Sequence, residues 1–255
     1  MQTGALEEIV IASITMLTFI VAGVSDWRSR EVDPRIWIAP IVVGIIFNFF
    51  YITFQAYDKT ILLLQIGIAI FFVLTIAILV FAVNLLGGAD FMAISTFVSL
   101  YPFNRLAIVK SIILRNRYVF LFNLFPPVLW LLAIYSIIML FIVIRNVICN
   151  LFVYRGIKEM KIPIHKKVFY MVFNRFMTID EYMRKRFYYP VYVPGVVSRV
   201  TFDIYEDDID WKKKLETLPK DTVIVVSWGI PMVSFLSISA IIYIVMYLLF
   251  YLSIA

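Results

Sequence analysis

The chain has 255 residues, of which 63% are apolar or aromatic and only 16% charged, with a net charge of +6 and a mean hydropathy of +0.94. Water-soluble domains run about 45–50% apolar and about 25% charged, so this composition excludes an ordinary soluble domain, and it is too oily for a disordered chain. Cys149 stands alone, which excludes an intrachain disulfide framework and argues against a cysteine-built metal site.

A hydrocarbon core of about 30 Å needs roughly 20 apolar residues per helix. In chain order this places spans near 8–25, 36–56, 61–83, 90–103, 128–149 and 228–252. The first run follows Glu7 and Glu8 rather than basic residues, and Ser25-Asp26-Trp27 is no small-residue cleavage site, so it is expected to persist as helix one. The third run is the cleanest, with Gln65 and Thr75 as its only polar side chains. The fourth is short, interrupted at Pro102 and followed by a basic, apolar stretch (Arg105, Lys110, Arg115, Arg117) that either continues the helix or lies on the membrane surface.

Charge divides the rest. Residues 151–227 carry 14 of the 23 Lys and Arg and 10 of the 17 Asp and Glu. The expected organisation is a membrane domain over 1–150, an α+β insert over 151–227 and a final span within 228–255. The fold class is thus an α-helical polytopic membrane protein, with six transmembrane helices and a small α+β domain between helices five and six. Within the insert, 168–173 and 181–183 read as helical, while 187–193 and 197–205 carry the aromatic and β-branched bias of strands, with Pro194-Gly195 as a turn between them. With the loop after helix one in the cytoplasm, thirteen Lys or Arg flank spans inside against five outside. Both termini then face out and the insert is cytoplasmic.

Ionisable groups at membrane depth are functional candidates by default. Asp26 closes helix one and Asp90 opens helix four, directly after Gly87, Gly88 and Ala89. Two crossings separate them, so the chain returns to the face it left and both acids stand near the same side. Two carboxyls in a partly desolvated site share a proton, one taking a proton from water while the other hydrogen-bonds a scissile carbonyl. Glycines before the second acid leave room for an extended peptide backbone. The competing reading makes Asp90 a helix cap and Asp26 the partner of Arg28 or Arg30.

The run Asp26-Trp-Arg-Ser-Arg-Glu-Val-Asp-Pro-Arg-Ile-Trp37, with Gly87-Gly88-Ala89-Asp90-Phe-Met-Ala-Ile94 and Ser227-Trp-Gly-Ile-Pro-Met232, resembles the archaeal preflagellin and prepilin peptidases of the GxGD aspartyl protease class. The resemblance extends over the whole layout. It implies Asp26 and Asp90 as the catalytic pair, no cofactor and no metal, and as partners precursors of flagellins or pilins with a short basic leader before an apolar helix. Ala89 stands where the strict motif has a second glycine. Only ten residues, 26–35, join helices one and two, so no cysteine-rich domain and no N-methyltransferase activity are expected.

Asp33 and the cluster Glu206, Asp207, Asp208 and Asp210 are candidate docking charges for the leader, against a solvated loop. His165 reads as a surface residue, and Lys212 to Lys214 as candidates for anionic lipid heads. Nucleic acid is not an expected partner, because basic residues interleave with acids and topology accounts for their excess. Two other functions fit the same layout: a transporter or channel using the aspartates as a proton or cation site, and a scaffold of a pilus or flagellar platform.

Overall fold

The computed structural model describes residues 2–54, 59–82, 87–104, 125–153, 162–203 and 206–254. The basic residues expected outside (Arg105, Lys110, Arg115, Arg117) and Arg155, Lys158 and Lys161 lie outside the described residues. Two compact units emerge, one formed by Met1–Ile137 with Pro231–Ala255 and one by Ile138–Ile230.

The first unit is helical: α1 (Gln2–Ser29), α2 (Arg35–Phe54), α3 (Lys59–Phe81), α4 (Gly88–Leu100), the first part of α5 (Pro127–Phe152) and α9 (Met232–Ile254). Five of these helices, α1, α2, α3, α5 and α9, are long and apolar enough to cross a bilayer, the architecture of a multi-pass membrane protein. Their outer faces show why: Phe49, Phe54, Leu63, Phe71 and Phe81 stand exposed, an arrangement stable only where lipid is the solvent. Helix α4, with 13 residues, is about 20 Å long and short of a full crossing. It is instead the inner helix, packed against α1, α2, α3 and α9.

Aromatic contacts fix the packing. Phe19 of α1 meets Trp37 of α2 edge-on at 5.7 Å and Phe97 of α4 at 6.2 Å, and Phe97 meets Tyr243 of α9 at 5.4 Å. Several of the polar groups buried among them are bonded to one another, as an oily interior favours, while Trp37 Nε1 has no partner among the described residues. Tyr243 Oη donates to Asn104 Oδ1 (2.9 Å), and Asn104 N–H donates to Gln65 Oε1 (2.9 Å). Glu8, read from sequence as a flank, is buried in α1 and accepts from Tyr247 Oη at 3.1 Å.

The second unit holds the end of α5, α6 (Ile164–Phe173), β1 (Arg175–Thr178), α7 (Ile179–Met183), β2 (Tyr188–Val193), β3 (Val197–Ser198), α8 (Asp208–Leu215) and β4 (Val223–Trp228). The antiparallel sheet has the order β1-β4-β2-β3. Alternation along β4 sends Ile224 and Val226 into one core with Met177, Tyr182 and Leu215, and Val225 into another with Tyr170, Phe176 and Val191. Pro190 has no N–H to give, and the β2–β4 register slips just after it.

Two expectations shift. The last span begins at Met232 rather than at 228, because β4 runs on through Trp228, which pairs with Tyr188; an apolar run reads alike as a strand interior or a helix start. The strand expected over 197–205 stops at Ser198, where Arg199 turns its guanidinium onto Pro190 O and Glu206.

The acidic cluster is engaged locally. Glu206 pairs with Arg199 through both carboxylate oxygens and accepts Trp211 Nε1–H at 2.8 Å. Asp207 caps α8, Asp208 accepts Phe187 N–H at 3.0 Å, and Asp210 stands 3.9 Å from Lys213. Hydrogen bonds from Arg199 hold the Glu206 carboxyl below its ordinary value of 4.5. A depressed acid stabilises the fold above its unfolded pKa and loses that contribution as pH falls through the folded one. Acidification below about pH 4.5 therefore loosens this unit, and Glu206→Gln flattens that part of the profile, read as Trp211 fluorescence of the full chain in detergent.

Candidate functional site

Asp26 lies one turn before the end of α1, which Arg30 closes in the left-handed conformation at φ 61°, a helix-terminating position. Its carboxyl is buried, with 7% exposure. It reaches across to the first turn of α9, which starts after Pro231. Ser234 N–H donates to Asp26 Oδ2 at 2.8 Å, and Ser234 Oγ lies 3.0 Å from the same oxygen. A first-turn N–H has no partner within its own helix, so Asp26 caps α9 from another helix. Ser234 Oγ is also 2.9 Å from Gly23 O. The approach of α1 to α9 depends on Gly23, where an added Cβ would stand 2.9 Å from Ser237 Cβ.

Asp90 is the third residue of α4 and is equally buried, at 7%. Its Oδ2 accepts the N–H of Gly87 at 3.0 Å, the acidic half of a capping box whose other half Gly87 cannot supply. A Cβ on Gly87 would stand 3.2 Å from that oxygen, whereas one on Gly88 would meet nothing within 4 Å. Ala89 is half-buried against the helical core. Gly195 is the one described glycine with positive φ, and Ala89 is not among the non-glycine residues with positive φ. The motif glycines thus provide room rather than unusual backbone angles, and alanine at 89 has the backbone of an ordinary helix start.

The two carboxyls belong to one unit, on helices that pack together, and stand within electrostatic reach of each other. Tyr135 of α5, which the sequence reading passed over, has its phenol within reach of the Asp90 charge. Beside Asp26 a groove of about 420 Å³ runs between α1 and α9, lined by Ile20, Gly23, Val24, Trp27, Ser237 and Ile238.

Asp33 does not join this cluster of buried acids. It is exposed, and its Oδ1 accepts Arg35 N–H at 2.9 Å, capping α2. His165 is exposed on α6. Among the described residues no three His, Cys, Asp or Glu side chains gather as a metal site requires. Comparisons of the chain with protein-family models, curated proteins and solved structures find no match.

Proposed function

We propose that the chain is an aspartyl endopeptidase of the membrane, removing a short basic leader from flagellin- or pilin-like precursors. The observation that carries this reading is the pair itself. Asp26 and Asp90 are far apart in sequence, yet both are buried at helix ends within reach of each other's charge. In the reaction, the ionised member draws a proton from water, which attacks the scissile carbonyl. The protonated member donates to the carbonyl oxygen and stabilises the tetrahedral adduct; the amine then leaves with a proton from the pair. The open space at Gly88 suits an extended backbone, and the α1–α9 groove suits the apolar helix that follows the leader.

In this reading α4 is the sixth membrane helix, both termini face outward, and the insert 151–227 and both acids lie on the cytoplasmic side. Asp33 contributes a minor docking charge beyond its role as a cap. Co-expression with a basic-leader precursor and mapping of the new N-terminus tests the function; an unprocessed precursor in membranes that contain the folded chain overturns it.

Ser234 is the positioning residue of this site. Ser234→Ala leaves the backbone bond to Asp26 and removes the hydroxyl, so the processing rate falls about tenfold, the scale of one side-chain hydrogen bond, at unchanged KM. Ser234→Thr retains the hydroxyl and restores most of the rate. Equal rates for alanine and wild type remove Ser234 from the site.

A further inference from the structure

Helix α6 presents its oily side outward. Its sequence, Ile164-His-Lys-Lys-Val-Phe-Tyr-Met-Val-Phe173, repeats every 3.6 residues so that Ile164, Val168 and Val172 line one side. Ile164 is 79% exposed and Val168 56%, whereas Tyr170, on the opposite side, is fully buried and donates to Arg199 O at 2.6 Å. Lys166 and Lys167, both half-buried, flank Tyr170 within the packed side, the exposed His165 lies beside Val172 on the outward side, and α6 holds no acid. An ordinary amphipathic helix on a soluble unit has the reverse arrangement.

A second observation fixes what lies against that face. Asn150, in the last turn of α5, is fully buried. Its Nδ2 donates to Met171 O (2.9 Å) and Asn174 O (2.8 Å), and its Oδ1 accepts Phe176 N–H (2.9 Å). One asparagine thus fastens the end of α6 and the start of β1 to the end of a helix long and apolar enough to cross the membrane. That end is itself apolar and open, with Leu151 55% and Phe152 87% exposed. These bonds hold α6 beside the C-terminal end of α5.

We propose that α6 is an interfacial helix resting on an anionic lipid surface. Ile164, Val168 and Val172 lie among the upper acyl chains, while Lys166 and Lys167 reach to headgroup phosphates. This helix therefore anchors the sheet unit to the leaflet where α5 ends, whatever reaction the aspartates perform.

The test uses the full chain with Cys149→Ser, in nanodiscs of phosphatidylcholine with or without phosphatidylglycerol. Nitroxide labels are placed through Ile164→Cys, Val168→Cys and, as a water-side reference, Thr217→Cys, at an exposed residue. Both test positions are exposed, so a label displaces no core packing. We expect labels at 164 and 168 to collide several-fold more with oxygen than with a water-soluble nickel chelate, the reverse at 217, and a greater depth with phosphatidylglycerol that Lys166→Ala with Lys167→Ala abolishes. Nickel access at 164 and 168 equal to that at 217 overturns the proposal. So do labels shielded from both reagents and dipolar-coupled between copies, which assign the face to a second chain, and so does a depth indifferent to lipid charge.

Discussion

Asp26→Asn and Asp90→Asn each lower precursor processing at least about a thousandfold, while the chain still folds into membranes. The size follows from the step that is lost. A pair reduced to one carboxyl cannot both withdraw a proton from water and supply one to the carbonyl, and positioned acid–base groups contribute about 10²–10⁴-fold. Folding survives because the amide copies the carboxyl in shape and keeps an acceptor oxygen. The amide oxygen at position 26 still accepts Ser234 N–H, and the one at position 90 still accepts Gly87 N–H, the bonds that hold these side chains now. Asp33→Asn is the control: asparagine caps a helix as well as aspartate does, so α2 keeps its start and processing falls only slightly. The measurement is the ratio of cut to uncut precursor over time in membranes, normalised to the amount of enzyme. Wild-type processing by either of the first two variants removes that residue from the chemistry. If instead no precursor is cut by any form, and the same two variants abolish proton-coupled uptake in sealed vesicles, the acids belong to a transporter.

The second large effect is structural. Gly44→Ala lowers stability by about 1–3 kcal/mol, the range for an overpacked core, and lowers processing with it. Helix α2 crosses α4 so closely that a Cβ on Gly44 would collide with the Ser99 carbonyl oxygen and stand 2.6 Å from its carbon and 2.9 Å from Leu100 N. These are backbone atoms, which no rotamer change can move. Asn48 ties the same crossing, its Nδ2 donating to Gly44 O and to Ser99 O at 2.7 Å each. Pushing the helices apart therefore breaks bonds whose loss oil punishes more than water, and it moves the helix that carries Asp90. Gly67→Ala in α3 meets nothing within 4 Å and gains up to about 1 kcal/mol from helix propensity. Thermal unfolding in one detergent orders the three proteins as Gly67→Ala, wild type, Gly44→Ala. A melting temperature for Gly44→Ala at or above wild type shows that the crossing is looser than described.

Much of the framework was legible in the chain, because a bilayer imposes a length and an oiliness that a sequence displays directly. The runs behind α2, α3 and α5 show their bounds to within a few residues. What stayed hidden depends on partners distant in sequence. Ser234 meets Asp26 across 208 positions, and Gly23 and Gly44 are ordinary small residues until the backbone that crosses them is known. Glu8 reads only as an acid at the start of the first run, because nothing nearby announces Tyr247. The strand Val223–Trp228 hides in an oily stretch that runs on into the last span, and the acids at 206–210 read as a free charged loop because their cations fold onto them from α8 and from Arg199.

Ser234 has one hydroxyl hydrogen and two oxygens within bonding range, on Asp26 and on the Gly23 carbonyl. An anion outcompetes a neutral carbonyl for a shared hydrogen. Discharging the aspartate therefore hands that hydrogen to the peptide group of Gly23, whose infrared stretch shifts to lower frequency. With carbon-13 at that one carbonyl, vibrational spectroscopy follows the electrical state of the site from a turn away, on a chain whose reacting groups are left untouched.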